Sequence, residues 1–286
     1  MKTFRHIALT LASLLALSCA KEVQPECNDQ MLTVQYGITV DAPTKALGDG
    51  KTANYVWYAV YRDNGTLMSE CAAPAKIDIA TGKAICPVTM VKDQNFKVVF
   101  LAMYFDEDGG NKIPVYKIDA RNKTVGMPAQ AEANTDKYDL FYGVDEVIDY
   151  QGTQSTNIQL DRIVAQVNFE LTDASWNALG VTSSHMSEIE ISGAPSTMNL
   201  LNATYSGSTN MTYAKAVIPS EGNRIGTVYC FASSDPAQAV KVNAAIRLYQ
   251  NESDTQPKSA SASDILVSAN KKTNLIIGSL NSPLGA

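Results

Sequence analysis

Leu32-Thr33-Val34-Gln35-Tyr36-Gly37-Ile38-Thr39-Val40 places Leu32, Val34, Tyr36, Ile38 and Val40 at every second position, against Thr33, Gln35, Gly37 and Thr39. A period of two is that of an extended strand with one buried face. The pattern returns far along the chain, where Val240, Val242, Ala244, Ile246 and Leu248 alternate with Lys241, Asn243, Ala245, Arg247 and Tyr249. Burial on one side only is what sandwich strands require.

Tyr55 to Tyr61, Lys97 to Phe105, Ile163 to Leu171, Thr227 to Phe231 and Leu275 to Leu280 are rich in β-branched and aromatic residues. Within the first of them, alternation assigns Tyr55, Trp57, Ala59 and Tyr61 to one face and Val56, Tyr58 and Val60 to the other. Asn64-Gly65 reads as a tight type I′ hairpin turn, and Thr81-Gly82 divides two further strands in the same way. Helix is scarce. One short helix is predicted from Asp173 as N-cap through Trp176 and Leu179 to a stop at Gly180, and a helical turn from Pro128 through Glu132. The fold class is therefore all-β, with short helical decorations. The polar, irregular stretch from Arg121 to Thr156 sets the expected boundary near Asp161, with an N-terminal β-sandwich over 27–160 and a C-terminal one over 161–286.

The first residues address the chain for export. Lys2 and Arg5 precede an apolar run from Ile7 to Leu17 that is too short to span a bilayer, and Ser18-Cys19 follows at once. This reads as a lipoprotein signal peptide over 1–18, with Cys19 as the acylated, palmitate-bearing N-terminus and 19–26 as a tether to the outer membrane. Ala16 and Leu17 depart from the usual residues before such a cysteine. Ordinary secretion would leave Cys19 incidental, and the chain extracytoplasmic either way.

Loss of Lys2 and Arg5 takes the formal charge from -6 to about -8, which argues against nucleic acid as a partner. Contact with the membrane is expected through the lipid anchor only. Setting Cys19 aside leaves Cys27, Cys71, Cys86 and Cys230, an even set that suits an oxidising compartment. Of the three pairings open to them, Cys71 with Cys86 is the preferred disulfide, because the intervening stretch reads as a turn and hairpin; free buried thiols are the alternative. His185 is the only histidine left after the signal and no CxxC spacing occurs, so neither a zinc site nor any cofactor is expected.

Catalytic signals are correspondingly thin. His185 follows Thr182-Ser183-Ser184, but neighbours in sequence do not make a triad, and a surface-loop histidine is the plainer reading. Asp106-Glu107-Asp108-Gly109-Gly110-Asn111 gathers oxygen ligands that calcium could use, yet a solvated hairpin explains the same residues. Nothing singles out a pair of carboxylates for glycoside hydrolysis. The chain is expected not to be an enzyme.

Thr44-Lys45-Ala46-Leu47-Gly48-Asp49-Gly50, then Val56 to Tyr61 with the Asn64-Gly65 turn, resembles fimbrillin-like lipoproteins of the Bacteroidetes. Asn95 to Ala102, Asp139-Leu140-Phe141-Tyr142-Gly143, Leu160-Asp161-Arg162-Ile163-Val164-Ala165-Gln166-Val167 and Lys272-Thr273-Asn274 continue the resemblance in order along almost the whole chain. The resemblance implies two tandem transthyretin-like β-sandwich domains, lipoprotein export to the cell surface, and a structural or adhesive role in fimbriae. It also implies other fimbrial subunits as partners by β-strand addition, with host or bacterial surface ligands or glycans as further ones. In polymerising members an arginine-directed protease removes an N-terminal strand. The matching region here carries Lys45, the candidate processing residue. Only Asn281 to Ala286 follow the last predicted strand, which points to an anchor, tip or accessory subunit rather than a stalk pilin. The competing reading is a glycan-binding outer-membrane lipoprotein of a nutrient-uptake system, with Tyr55, Trp57, Tyr58 and Tyr61 as a stacking platform.

Overall fold

The computed structural model describes residues 30–40, 52–128, 130–152, 156–220 and 222–281, and the alternating stretches are strands in it. The main strands of the N-terminal part are β1 (Met31–Val40), β2 (Tyr55–Arg62), β3 (Lys83–Val91), β4 (Phe96–Met103), β5 (Leu140–Val147) and β6 (Thr156–Arg162). After them come β7 (Val164–Leu171), β8 (Met186–Ala194), β9 (Thr209–Val217), β10 (Arg224–Phe231), β11 (Val240–Tyr249), β12 (Lys258–Val267) and β13 (Lys272–Ile277). Helix α1 (Asp173–Leu179) is the one α-helix among the described residues.

The first sheet runs Leu67–Glu70, β2, β4, β5, β6, β1, β3. It doubles back on itself, so that β1 and β3 cover one face of β2 and β4. Tyr36 of β1 lies 5.1 Å, centroid to centroid, from Phe100 of β4, and the Tyr58 hydroxyl donates to the Pro87 carbonyl at 2.9 Å. Alternation along β2 divides its side chains between two cores. Val56 and Val60 join Tyr36, Ile38, Val88 and Phe100. Tyr55, Trp57, Ala59 and Tyr61 instead pack with Val167, Phe231 and Ile246 from the C-terminal part. Core packing, the plainer reading of these aromatics, is what the fold shows, and the stacking platform of the competing reading is overturned: Trp57 is 7% exposed and Tyr61 is fully buried.

Strand β6 makes the change of layer. Thr156 to Leu160 pair in parallel with β1, whereas Asp161 and Arg162 pair with β5. Asp161 lies within β6, and β7 follows after Ile163. Apart from a small sheet of Tyr205–Ser206, Thr197–Asn199, Thr124–Gly126 and Lys117–Asp119 and the hairpin of Phe105–Asp108 with Asn111–Pro114, there are a second sheet ordered Ala131–Glu132, β9, β8, β11, β12 and a third ordered β10, β7, β13. They face each other across the larger core, which also holds one face of β2, so residues Met31–Ala286 form one compact unit.

Gly226 of β10 lets the second and third sheets approach. A Cβ there would stand 2.6 Å from Cδ1 of Ile189 and 2.8 Å from Cδ1 of Ile246. Gly226→Val is therefore expected to destabilise by about 1–3 kcal/mol, the usual cost of overpacking, read as a lower urea midpoint with an unchanged slope.

Local signals differ from expectation where side-chain or edge chemistry intervenes. Thr172, not Asp173, is the N-cap of α1: its Oγ1 accepts the Ser175 N–H at 3.3 Å, and Gly180 closes the helix at φ 59°. The helical turn expected after Pro128 is absent among the described residues. Ala131–Glu132 instead pairs in parallel with β9, whose free edge supplies hydrogen bonds that so short a helix would lack. The Asn64-Gly65 hairpin exists, but Gly65 alone takes positive φ, at 77°. Gly65 N–H bonds Arg62 O and Arg62 N–H bonds Thr66 O, which is a type I turn closed by a glycine bulge rather than type I′.

Candidate functional site: an open seam between two edge strands

Strand β12 ends the second sheet and β13 ends the third, so two edges lie side by side along the larger core. Between them is a cavity of about 400 Å³ whose wall is mixed, apolar at Phe169, Ala260, Leu275 and Ile277 and polar at Ser261 and Asn274. Phe169 is 2% exposed at its floor, and Leu275 and Ile277 pack against the core from β13. The chain closes one end of the seam itself: Ser259 N–H bonds Asn281 O at 3.0 Å and Asn281 N–H bonds Ser259 O at 2.9 Å.

The parallel ladder with β7 fixes which backbone groups of β13 are spoken for. Gln166 N–H bonds Lys271 O and Thr172 N–H bonds Ile277 O, so the odd-numbered residues turn their peptide groups toward β7. Period two then turns those of Asn274 and Ile276 to the open side, where no strand lies among the described residues. The Ile276 side chain is 63% exposed on this edge. An extended segment laid along β13 would satisfy these groups and cover the apolar part of the wall.

A buried ion pair braces the first sheet near its junction with β7. Arg162 of β6 donates from Nε to Asp139 Oδ1 at 2.6 Å and from Nη2 to Oδ2 at 2.7 Å, with both side chains almost wholly buried. Its Nη1 reaches Asn270 Oδ1 at 3.3 Å, and the guanidinium lies 4.9 Å from the centroid of Phe141. Burial pushes the Asp139 carboxyl up to about 6, although Arg162 pulls against it. Neither residue drew a role from the sequence reading, yet each sits in one of the ordered motifs quoted above.

The residues singled out from sequence fall as follows. Cys19, Cys27, Lys45 and the stretches 1–29 and 41–51 lie outside the described residues. Cys71 and Cys86 stand as separate thiols rather than as the expected disulfide. The Cys71 sulfur accepts the Tyr58 N–H at 3.4 Å, while Cys86 is buried in β3 opposite Tyr36 in the other layer. Burial raises both, to about 11 for Cys71 and about 12 for Cys86. His185 is not a surface-loop residue: it is 8% exposed, and its Nδ1 accepts the Thr182 N–H at 3.1 Å, capping its own turn. Asp106 to Asn111 form a hairpin in which Lys112 pairs with Glu107 at 2.7 Å. Among the described residues no His, Cys, Asp and Glu cluster is set up to hold a metal. Nor is any helix among them long and apolar enough to cross a membrane.

The chain is thus an all-β protein of layered sheets with an unpaired edge beside a groove of mixed lining. The chain belongs to the family of unknown function DUF6562, whose model matches residues 25–280. No curated protein matches it. Among solved structures it is similar to a candidate polysaccharide-binding protein (DUF1812) of Bacteroides thetaiotaomicron, at 13% identity over 74% of this chain and 75% of that one, with a TM-score of 0.49. A candidate adhesin of Bacteroides ovatus shares 11% identity over 86% of this chain and 87% of that one, TM-score 0.48. A fimbrial assembly protein of Parabacteroides distasonis shares 12% over 87% and 92%, TM-score 0.45.

Proposed function

We propose that the chain is a structural or adhesive component of fimbriae at the cell surface, without catalytic activity, held to the outer membrane by a lipid on Cys19 and joined to other subunits by strand addition. The observation that carries this reading is the unpaired edge of β13, with Asn274 and Ile276 turned outward beside the seam. Main-chain hydrogen bonds along such an edge supply affinity, and the groove beneath supplies side-chain pockets. The sequence resemblance to fimbrillin-like lipoproteins points the same way. Because β13 is a working strand of its own sheet, bonded to β7, it receives a strand rather than donating one, which favours an anchor, tip or accessory subunit. Lys45 would be the processing residue wherever activation by cleavage operates.

The test is a gel of the sheared surface fraction, unboiled and boiled, probed with antibody to this chain. High-mass bands that collapse to monomer on boiling are expected from the native chain. They should vanish in Ile276→Pro, which deletes one outward N–H at an edge where proline is tolerated. Monomer alone in unboiled native samples, or heat-sensitive bands undiminished in Ile276→Pro, would refute strand addition at β13.

A further inference from the structure

The face of the second sheet turned away from the core is a trough in which polar side chains stand among small apolar ones such as Ala245 and Ala262. Period two sends Ile189, Ile191, Ala244 and Ile246 inward and so leaves Glu190, Ser192, Asn243 and Ala245 on the outer surface. Register places Thr212 opposite Glu190 and Asn210 opposite Ser192 on one flank, and Ser261 opposite Ala245 on the other. A cavity of about 300 Å³ runs across this row. Asn210 and Thr212 also wall an adjoining recess of about 710 Å³ beyond β9. Both volumes suit small-ligand sites.

Bulges shape the row. The ladder shifts between Ser192 and Ala194 on β8 and between Val242 and Ala244 on β11. Gly193, at φ +85°, supplies the first of these bends, since a residue with a side chain would be strained there. A bulge bends its strand and re-aims the neighbouring side chain. In the second shift the extra residue is on β12, where Ser263 and Asp264 stand opposite Asn243, and Asn243 Oδ1 accepts the Asp264 N–H at 3.1 Å, which leaves its amide hydrogens for a ligand.

The charges at one end are mutually held. Arg247 Nη1 lies 2.8 Å from Glu190 Oε1 and 3.4 Å from Glu188 Oε2, and the Tyr249 hydroxyl donates to Glu188 at 2.7 Å. The Lys215 ammonium sits 4.0 Å from the Tyr249 ring centroid. Two carboxylates thus balance two cations. A phosphate would have to compete with Glu188 and Glu190 for Arg247, and an apolar ligand would bury amides and hydroxyls unpaired. Fixed carboxylate acceptors with spare lone pairs, beside amide donors and hydroxyls, match the vicinal hydroxyls of an uncharged sugar.

We propose that this trough binds neutral sugar residues of a surface glycan, with Glu190, Asn243, Asn210 and Thr212 making the polar contacts. The site lies on the sheet face, so it names a ligand for the adhesive role without resting on strand addition along β13.

The test is affinity electrophoresis of the folded chain in gels carrying dextran, mannan or galactan. Retardation by at least one of the three is expected. Ala245→Trp, which fills the trough from the surface, and Glu190→Gln should each weaken it at least about tenfold, the worth of one charge-assisted hydrogen bond, with thermal midpoints unchanged. Ile276→Pro should bind as the native chain does, which separates this site from the seam. No retardation in any of the three gels, retardation by heparin alone, or native retardation of a folded Ala245→Trp would overturn the proposal.

Discussion

Replacing Arg162 with alanine is expected to cost about 3–5 kcal/mol of stability at neutral pH, because it strands a buried carboxylate. Asp139 is 1% exposed and receives two guanidinium hydrogen bonds, at 2.6 and 2.7 Å, which vanish together. The packing of the guanidinium on Phe141 and its reach to Asn270 go with them. Urea titration should show the loss as a lower midpoint. The pH dependence follows from the direction of the Asp139 shift. Burial already holds this carboxyl above its ordinary value of 3.8, at about 6, with Arg162 in place. Without Arg162 it rises further. A group raised on folding gives stability that is present below its unfolded value and lost as pH rises through its folded one, so the deficit of Arg162→Ala should be larger near pH 8 than near pH 5. A deficit that grew on acidification would refute the account. Leucine at both positions should be less damaging than alanine at Arg162 alone, since no charge is then left buried.

Alkali is expected to unfold the protein well before most proteins of ordinary tyrosine content. Burial raises Tyr116 and Tyr213 well above their ordinary value of 10.0 and carries Cys230 from 9.0 to about 12. Tyr142 is pushed up to about 12 by the same cause. All are raised on folding, so their contribution is complete below about pH 9 and falls as pH climbs toward the folded values. Each fully buried group forfeits about 1.4 kcal/mol per pH unit past its unfolded value. By about pH 11 Cys230 alone, two units past its unfolded value of 9.0, forfeits roughly 3 kcal/mol, and the two tyrosines add to the loss in the same direction. Circular dichroism and tyrosinate absorbance followed together should change in one cooperative step. A smooth tyrosinate titration centred near 10 with the sheet signal intact would sink the idea.

Much of the architecture was written in the residue order. Alternation marked β1 and β11, and it also assigned the β2 side chains to two faces correctly. Its meaning for Tyr55, Trp57 and Tyr61 was not legible, because a face reads alike whether it meets solvent or a second core. Only the fold supplies the C-terminal sheets that bury it. Asp139 and Arg162 lie 23 residues apart, and nothing local links them. They meet because β6 leaves β1 at Leu160 and joins β5 at Asp161, a change of partner that no single strand encodes.

Residue order alone carried the alternation of β1 and β11 and the places of the turns at Asn64-Gly65 and Gly180. These depend on dihedral preference or side-chain alternation, both of which act within a few residues. The tertiary fold made Ala131–Glu132 a strand, left β12 and β13 unpaired with each other, and used bulges at Gly193 and at Ser263-Asp264 to turn a flat sheet face into a trough. Each of those depends on which distant strand lies alongside, and backbone hydrogen bonds between strands carry no sequence label.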